Sequence, residues 1–410
     1  METANLIQIY SSDLKLGMYV AELDRPWLES PFLFQGFKVT EVEVLEQIQK
    51  LCTYVYINTN LGINPSSTNV AHKAPKKIKT PIPEFSNNNK LDSKQVAIEK
   101  EISIARQARK DLHMALETVM IDINCGKSIQ LSQLKEAVTP MIGSILRNSD
   151  ASMWLVMMKY KDSYTYTHAL NAAVLAAKLG RQLGYAADEL KSLTMGALLF
   201  DIGKIKLPTE LWERPRRLSE AEFAVIKHHV HYGMEIILDT AKKDNIVFNM
   251  IAYHHERYNG KGYPHQLKDQ QIPLHGRIAA IIDCFDAITT DRPYCKAISP
   301  YHAIEKIYEW RDVDFQGALV EQFIQAVGIY PTGTIIELAS GDIGIIIAQN
   351  PVRRLKPKVM LVLNNNKETY DNYPVLDLLT ESKDHEGRDL KIIRAHSPGA
   401  FSIDPSNFFL

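Results

Sequence analysis

From about residue 95 to 328 the apolar positions recur with helical spacing, and that stretch reads as almost entirely helical. Val96 to Ile123 is amphipathic with a mixed-charge face, and Leu131 to Leu146 follows it. Either helix could pack on the rest of the bundle or form the seam of a homodimer. In the next helix His168, Ala172, Leu175, Ala176 and Leu179 fall at i, i+4, i+7, i+8 and i+11, which places the histidine on the inward face. An apolar run from Met195 to Phe200 ends in Asp201, with Gly203 and Lys204 behind it. Burying Asp201 there is costly without a cation or several donors to satisfy it. Ser219 and Glu222 form a capping box with Leu218 and Phe223 as its hydrophobic staple, and the helix they start leads to His228, His229 and His231. Ile246 to Tyr253 reads as a helix, and Gly276 to Thr289 as another that carries Asp283 and Asp286. Ser299-Pro300 starts a further helix, with Ser at the N-cap and Pro at the first helical position.

The flanks follow other rules. Leu16 to Val20 and Tyr54 to Ile57 read as strands, with a helix over about 41–51 between them. Residues 1–61 are therefore expected to form a small α+β module, and the aromatic-dense segment from Arg25 to Phe37 reads as its core or, alternatively, as a ligand or partner surface. Residues 62–94 are rich in Pro, Lys and Asn with few large apolar side chains. Such a segment buries too little surface to offset its ordering entropy, which predicts a flexible linker. Beyond 330 the period changes to two: Thr334 to Leu338, Gly344 to Ile347 and Lys358 to Leu363 read as strands of a short antiparallel β appendage over 330–410. The tail from Asn364 onward is polar and predicts no element. The fold class expected is mainly α: a helical bundle at 151–329, connecting helices at 95–150, the N-terminal module and the C-terminal β appendage.

Composition narrows the classes. A net charge of -1 gives no electrostatic case for a nucleic acid polymer or a membrane surface. Cys52, Cys125, Cys284 and Cys295 are scattered without CxxC spacing, as in a reducing compartment. No stretch approaches the length of a transmembrane helix, and Met1-Glu2-Thr3 carries no basic leader, so a cytoplasmic protein is expected. Histidine alone is unevenly placed: eight of the 13 lie between His168 and His275.

That density peaks in the run His254-His255-Glu256-Arg257-Tyr258-Asn259-Gly260-Lys261-Gly262-Tyr263-Pro264. Imidazole is the commonest side-chain metal ligand. Neighbours on a helix point about 100° apart, so this pair would suit two adjacent ions better than one. His168, Asp201, His229, His254, His255 and Asp283 make six candidate nitrogen and oxygen ligands with no thiolate among them. Such a set suits a two-metal hydrolytic centre holding iron or manganese, with displacement at phosphorus as its chemistry. Lys204 could neutralise charge on phosphoryl oxygens. Gly260, Gly262 and Pro264 would shape a loop whose backbone approaches a phosphate closely, presenting Tyr263 beside it.

On these motifs residues 160–325 resemble the HD-GYP family, a branch of the HD superfamily of metal-dependent phosphohydrolases. The resemblance rests on Asp201-Ile202-Gly203-Lys204, on the histidine pair with its Gly-Tyr-Pro loop, and on Asp283-Cys284-Phe285-Asp286-Ala287 followed by Arg292-Pro293-Tyr294. Residues 5–60 resemble the small module often found in front of such domains. The resemblance implies an HD-type all-helical catalytic domain that hydrolyses cyclic di-GMP to its linear dinucleotide or to GMP. It implies metal ligation by His168, Asp201, His229, His254, His255 and Asp283, with Asp201 and Lys204 serving catalysis. Gly262, Tyr263, Pro264 and Arg292 would contact substrate, and diguanylate cyclases or other signalling proteins are implied as partners of the Gly-Tyr-Pro loop.

Three positions depart from the family pattern. Phe200 stands where the defining His-Asp pair has its histidine, Tyr164 stands where members with a third metal carry Glu, and Cys295 follows Arg-Pro-Tyr in place of a base. A phenyl ring cannot coordinate, so the two-metal centre is expected to bind its ions more weakly. Two readings remain at this point: a phosphodiesterase weakened by Phe200, and a non-catalytic receptor for cyclic di-GMP or a signalling protein.

Overall fold

The computed structural model describes residues 6–24, 37–59, 62–63, 96–127, 131–158, 164–213, 216, 218–238, 244–291, 296–350, 355–383 and 387–408. They fall into two compact units, Met1–Pro81 and Ile82–Leu410. The linker expected at 62–94 lies, apart from Gly62 and Ile63, outside the described residues, as do Arg25 to Gly36 of the aromatic-dense segment.

In the first unit β1 (Leu6–Tyr10), β2 (Tyr19–Leu23), β3 (Phe37–Lys38) and β4 (Tyr54–Asn58) form an antiparallel sheet in the order β1-β4-β2-β3, with α1 (Val42–Leu51) between β3 and β4. Alternation along β4 turns Val55 and Ile57 inward, onto Ile9, Val20 and Ile48. The strand expected from Leu16 begins only at Tyr19. Gly17 adopts φ +89°, a turn conformation incompatible with an extended run.

The second unit is helical up to Val327: α2 (Ile98–Asn124), α3 (Leu131–Arg147), α4 (Ser149–Met157), α5 (Tyr164–Gln182), α6 (Ala187–Leu199), α7 (Glu210–Glu213), α8 (Glu220–Lys227), α9 (His229–Ile237), α10 (Asn245–Tyr253), α11 (Leu274–Thr289), α12 (Pro300–Glu309) and α13 (Gly317–Val327). Helix α5 is the axis of the bundle. Its residues from Thr167 to Gly180 are all buried, and it packs on α2, α3, α4, α6, α11 and α13. Most of that buried surface is small or apolar, with Thr167, His168, Asn171 and Lys178 as its buried polar members. Starts are set by caps: Asn148 accepts from the amides of Asp150 and Ala151, Asp244 from those of Ile246 and Val247, and Ser299 from His302. The capping box at Ser219 and Glu222 forms as the spacing predicts.

Residues beyond 330 form a five-stranded antiparallel sheet, β5 (Ile335–Leu338), β6 (Ile343–Ala348), β7 (Lys358–Leu363), β8 (Val375–Asp377) and β9 (Ile392–His396), ordered β8-β7-β6-β5-β9. Strands β8 and β9 lie in the tail whose polar sequence predicted no element. They are held by ladder bonds to β7 and β5 rather than by an apolar alternation of their own. One face of the sheet, with Ile335, Ile345, Ile347 and Met360, shares a core with Ile98 and Ile102 of α2 and Trp154 of α4. Asp150 reinforces that junction, accepting from Thr332 Oγ1 at 3.1 Å and from the Gln349 amide at 3.0 Å.

Candidate metal centre

Five segments deliver the polar side chains. His168 comes from the first turns of α5, Asp201 from the end of α6, His229 from the start of α9, His254 and His255 from the end of α10, and Asp283 from the middle of α11. Their approach depends on glycine. A Cβ on Gly203 would overlap the His229 carbonyl oxygen and the Gly233 amide nitrogen, so only glycine lets the turn after Asp201 lie against α9.

Ligand atoms of Asp201, His229, His254 and His255 lie within 4.8 Å of one another. His255 Nδ1 also lies 3.6 Å from Asp283 Oδ2, so the pair His254-His255 borders both Asp201 and Asp283. Helix α10 ends at Tyr253, and in the turn that follows the two ring centroids close to 4.1 Å.

Hydrogen bonds fix the tautomers. His229 Nδ1 lies 2.6 Å from the Ile226 carbonyl oxygen, and His254 Nδ1 lies 2.9 Å from that of Ile251. A carbonyl only accepts, so each Nδ1 donates a proton, and in the neutral ring each Nε2 presents a lone pair. These Nε2 atoms face each other at 3.2 Å and face Asp201 Oδ1 at 3.3 Å and 3.6 Å. That carboxylate oxygen is buried and accepts no hydrogen bond. Electron pairs converging in a buried space repel unless a cation lies among them. The donor set fits a divalent metal ion.

The other side of Asp201 is built similarly. His168 Nδ1 donates to Asp286 Oδ2 at 2.6 Å, leaving its Nε2 3.4 Å from Asp201 Oδ2 and 3.4 Å from Asp283 Oδ1. Lys204 donates to Asp201 Oδ2. His255 also borders this side through Asp283 Oδ2, and Phe200 packs against both His168 and His254. Its fully buried ring stacks on His254 with centroids 5.0 Å apart and meets His168 edge-on at 5.4 Å.

Burial would raise the pKa of Asp201, but the Lys204 ammonium and the surrounding imidazoles hold it well below the usual carboxylate range. Burial works against Asp283 too, and His168 and His255 hold it low. His229 and His255 are depressed chiefly by burial, His255 also by His254, so both stay neutral, the form that ligates.

The glycine loop is anchored to the same cluster. Glu256, buried, accepts from the amides of His265 at 2.7 Å and Leu267 at 3.0 Å, while the Tyr263 amide donates to the His255 carbonyl. A Cβ on Gly262 would overlap the backbone of Glu256 and Arg257, and Gly260 takes φ +78°. The loop brings Tyr263 onto His255, rings stacked at 4.5 Å, with Pro264 exposed after it. Arg292 lies outside the described residues.

Sequence reading missed the support beneath His168. Asp286 also accepts from Asn171 Nδ2 at 2.8 Å, and Asn171 Oδ1 accepts from Arg109 Nη2 at 2.9 Å. Asp286 lies one turn after Asp283 and Asn171 one turn after His168, a spacing that marks shared faces. Arg109, on the distant helix α2, had no such signal.

Comparison with known proteins agrees with this geometry. Residues 152–319 match the HD domain family, and residues 6–134 match a domain of unknown function, DUF3391. The cyclic di-GMP phosphodiesterase PA4108 of Pseudomonas aeruginosa is 30% identical over 376 residues, covering 91% of this chain and 89% of that protein. The cyclic di-GMP phosphodiesterase response regulator RpfG of Xanthomonas campestris is 32% identical over 215 residues, 49% of this chain and 57% of its own length. Among solved structures Bd1817, an HDG"Y"P protein of Bdellovibrio bacteriovorus, superposes with a TM-score of 0.46 at 19% identity, covering 78% of this chain and 98% of that one. With a relative at this identity along nearly its whole length, and with its histidines and aspartates gathered at one point, the chain belongs to the HD superfamily, in its HD-GYP-like form.

Proposed function

We propose that the chain is a metal-dependent phosphodiesterase that hydrolyses cyclic di-GMP to the linear dinucleotide or GMP, with activity weakened by Phe200. The observation that carries this reading is the buried convergence of His229 Nε2, His254 Nε2 and Asp201 Oδ1. Asp201, His229, His254 and His255 would hold one ion, and His168, Asp201 and Asp283 a second. Their nitrogen and oxygen donors suit iron or manganese. A bound divalent ion polarises phosphate oxygens and supplies hydroxide near neutral pH. Lys204, beside Asp201, is placed to balance charge on the phosphoryl oxygens, and Asp286 keeps the His168 ring oriented. Tyr263 and Gly262 border the cluster and would position substrate, and the resemblance assigns Pro264 and Arg292 to substrate contact as well. The substrate itself is carried over from relatives named for cyclic di-GMP hydrolysis.

Phe200 favours a second reading, a receptor that binds cyclic di-GMP or a signalling protein such as a diguanylate cyclase through the Gly-Tyr-Pro loop. In both readings the protein acts in the cytoplasm, and a homodimer is compatible with either. Elemental analysis together with turnover of cyclic di-GMP under anaerobic conditions, with iron or manganese, separates them. Turnover by the parent eliminates the receptor. Metal and activity gained only by Phe200→His eliminate the native enzyme.

A further inference from the structure

Phe223 is a large aromatic side chain left 43% exposed close to the metal centre, on a helix with no buried residue at all. Core packing does not explain α8. Its contacts run toward the cluster instead: Tyr263 stacks on His255, Phe223 meets Tyr263 edge-on at 6.1 Å, and the Lys227 ammonium lies 4.7 Å from the Phe223 ring centre and 5.3 Å from that of Tyr263. Arg216 grips Glu222 through two bonds of 2.8 Å and 2.6 Å at the N-terminal end of α8, and Lys227 is two residues from His229 at the other.

We infer that Phe223, Lys227 and Tyr263 form a platform that takes one nucleobase of the cyclic dinucleotide together with the phosphate next to it. This rests on the cyclic dinucleotide reading above and deepens it. A base offers a flat π-face for the Phe223 ring, and base–aromatic stacking tolerates any base. A lysine over two aromatic faces is held in place by cation–π attraction, with its ammonium offered to an anion. The His255-Tyr263 stack links this wall to the metal ligands, so a base seated there would leave its ribose phosphate facing the cluster. No other segment among the described residues combines an exposed aromatic ring, a cation and contact with a metal-ligand ring in this way.

The test uses the full chain loaded with manganese. Phe223→Leu keeps apolar bulk without a π-face, Lys227→Met removes the charge, and Phe223→Trp keeps stacking. Cyclic di-GMP affinity is measured by calorimetry, alongside KM, kcat and metal per chain. The leucine variant is expected to weaken Kd and KM about 5- to 150-fold, the range that follows from ~1–3 kcal/mol per stacked base, and the methionine variant to weaken both and flatten their salt dependence. Metal content should be unchanged and kcat within about twofold, with the tryptophan variant rescuing affinity. Unchanged Kd and KM in Phe223→Leu, or loss of metal from it, would overturn the platform. A parent that neither binds nor hydrolyses cyclic di-GMP overturns the functional reading and the platform with it. A parent that does so, with indifferent variants, overturns the platform alone.

Discussion

The Phe200 ring lies stacked on His254, centroids 5.0 Å apart and planes 22° from parallel, and meets His168 edge-on at 5.4 Å. Replacing Phe200 by His should raise affinity for the more weakly held ion by at least the ~10–100-fold typical of lost ligand support. Metal titration of parent and variant checks this. Phe200→Ala is the control. It should cost about 3–5 kcal/mol of stability through the cavity it leaves, without any gain in metal.

Asp286 touches no other part of the cluster than His168, yet it sets that ring's tautomer. Asp286→Ala should weaken the His168-side ion about 10–100-fold and leave the His229-side ion in place. His229→Ala should do the reverse. Two-step metal titrations of both variants decide whether the two sides are separable in this way.

Gly203 lies where the turn after Asp201 meets α9, and a methyl group there would collide with backbone on both sides. Since neither neighbour can swing away, Gly203→Ala should destabilise the protein by about 1–3 kcal/mol and displace His229 from the centre. Denaturant midpoints and metal content should fall together. A destabilised variant with full metal content would contradict the second half of this expectation.

Burial holds the pKa of His229 and His255 below the usual imidazole value. A lowered pKa leaves the ligating lone pair free to a lower pH, so protons should begin to displace metal only below the ordinary imidazole range near pH ~6.5. Asp201 and Asp283 are held low as well and add no competition at that pH. Metal per chain, followed from pH 8 downward, should stay level through pH ~6.5 and then fall. Complete loss at or above that pH would show that these histidines titrate as free ones do.

Much of this architecture was legible in the sequence, for definite reasons. The helices of the bundle announce themselves by period and cap, and Ser219-Glu222 and Ser299-Pro300 mark starts that the structure keeps. The cluster was legible because an aspartate ending an apolar run is costly unless a cation or several donors satisfy it, and because the histidine and Gly-Tyr-Pro motifs resemble those of a known family. What stayed hidden depends on tertiary proximity. Arg109 reaches Asn171 across 62 residues of chain, and β9 pairs with β5 through a segment whose own composition is polar.

The sheet formed by β5 to β9 lends its apolar face to Trp154, Ile98 and Ile102. The residues matching the HD domain, 152–319, thus leave out part of the core that they pack against. An expression clone trimmed to those limits would strip α4 of its cover and sever Arg109 from the path to His168. Such a fragment should aggregate, and its failure to retain metal would say nothing about the chemistry of the intact chain.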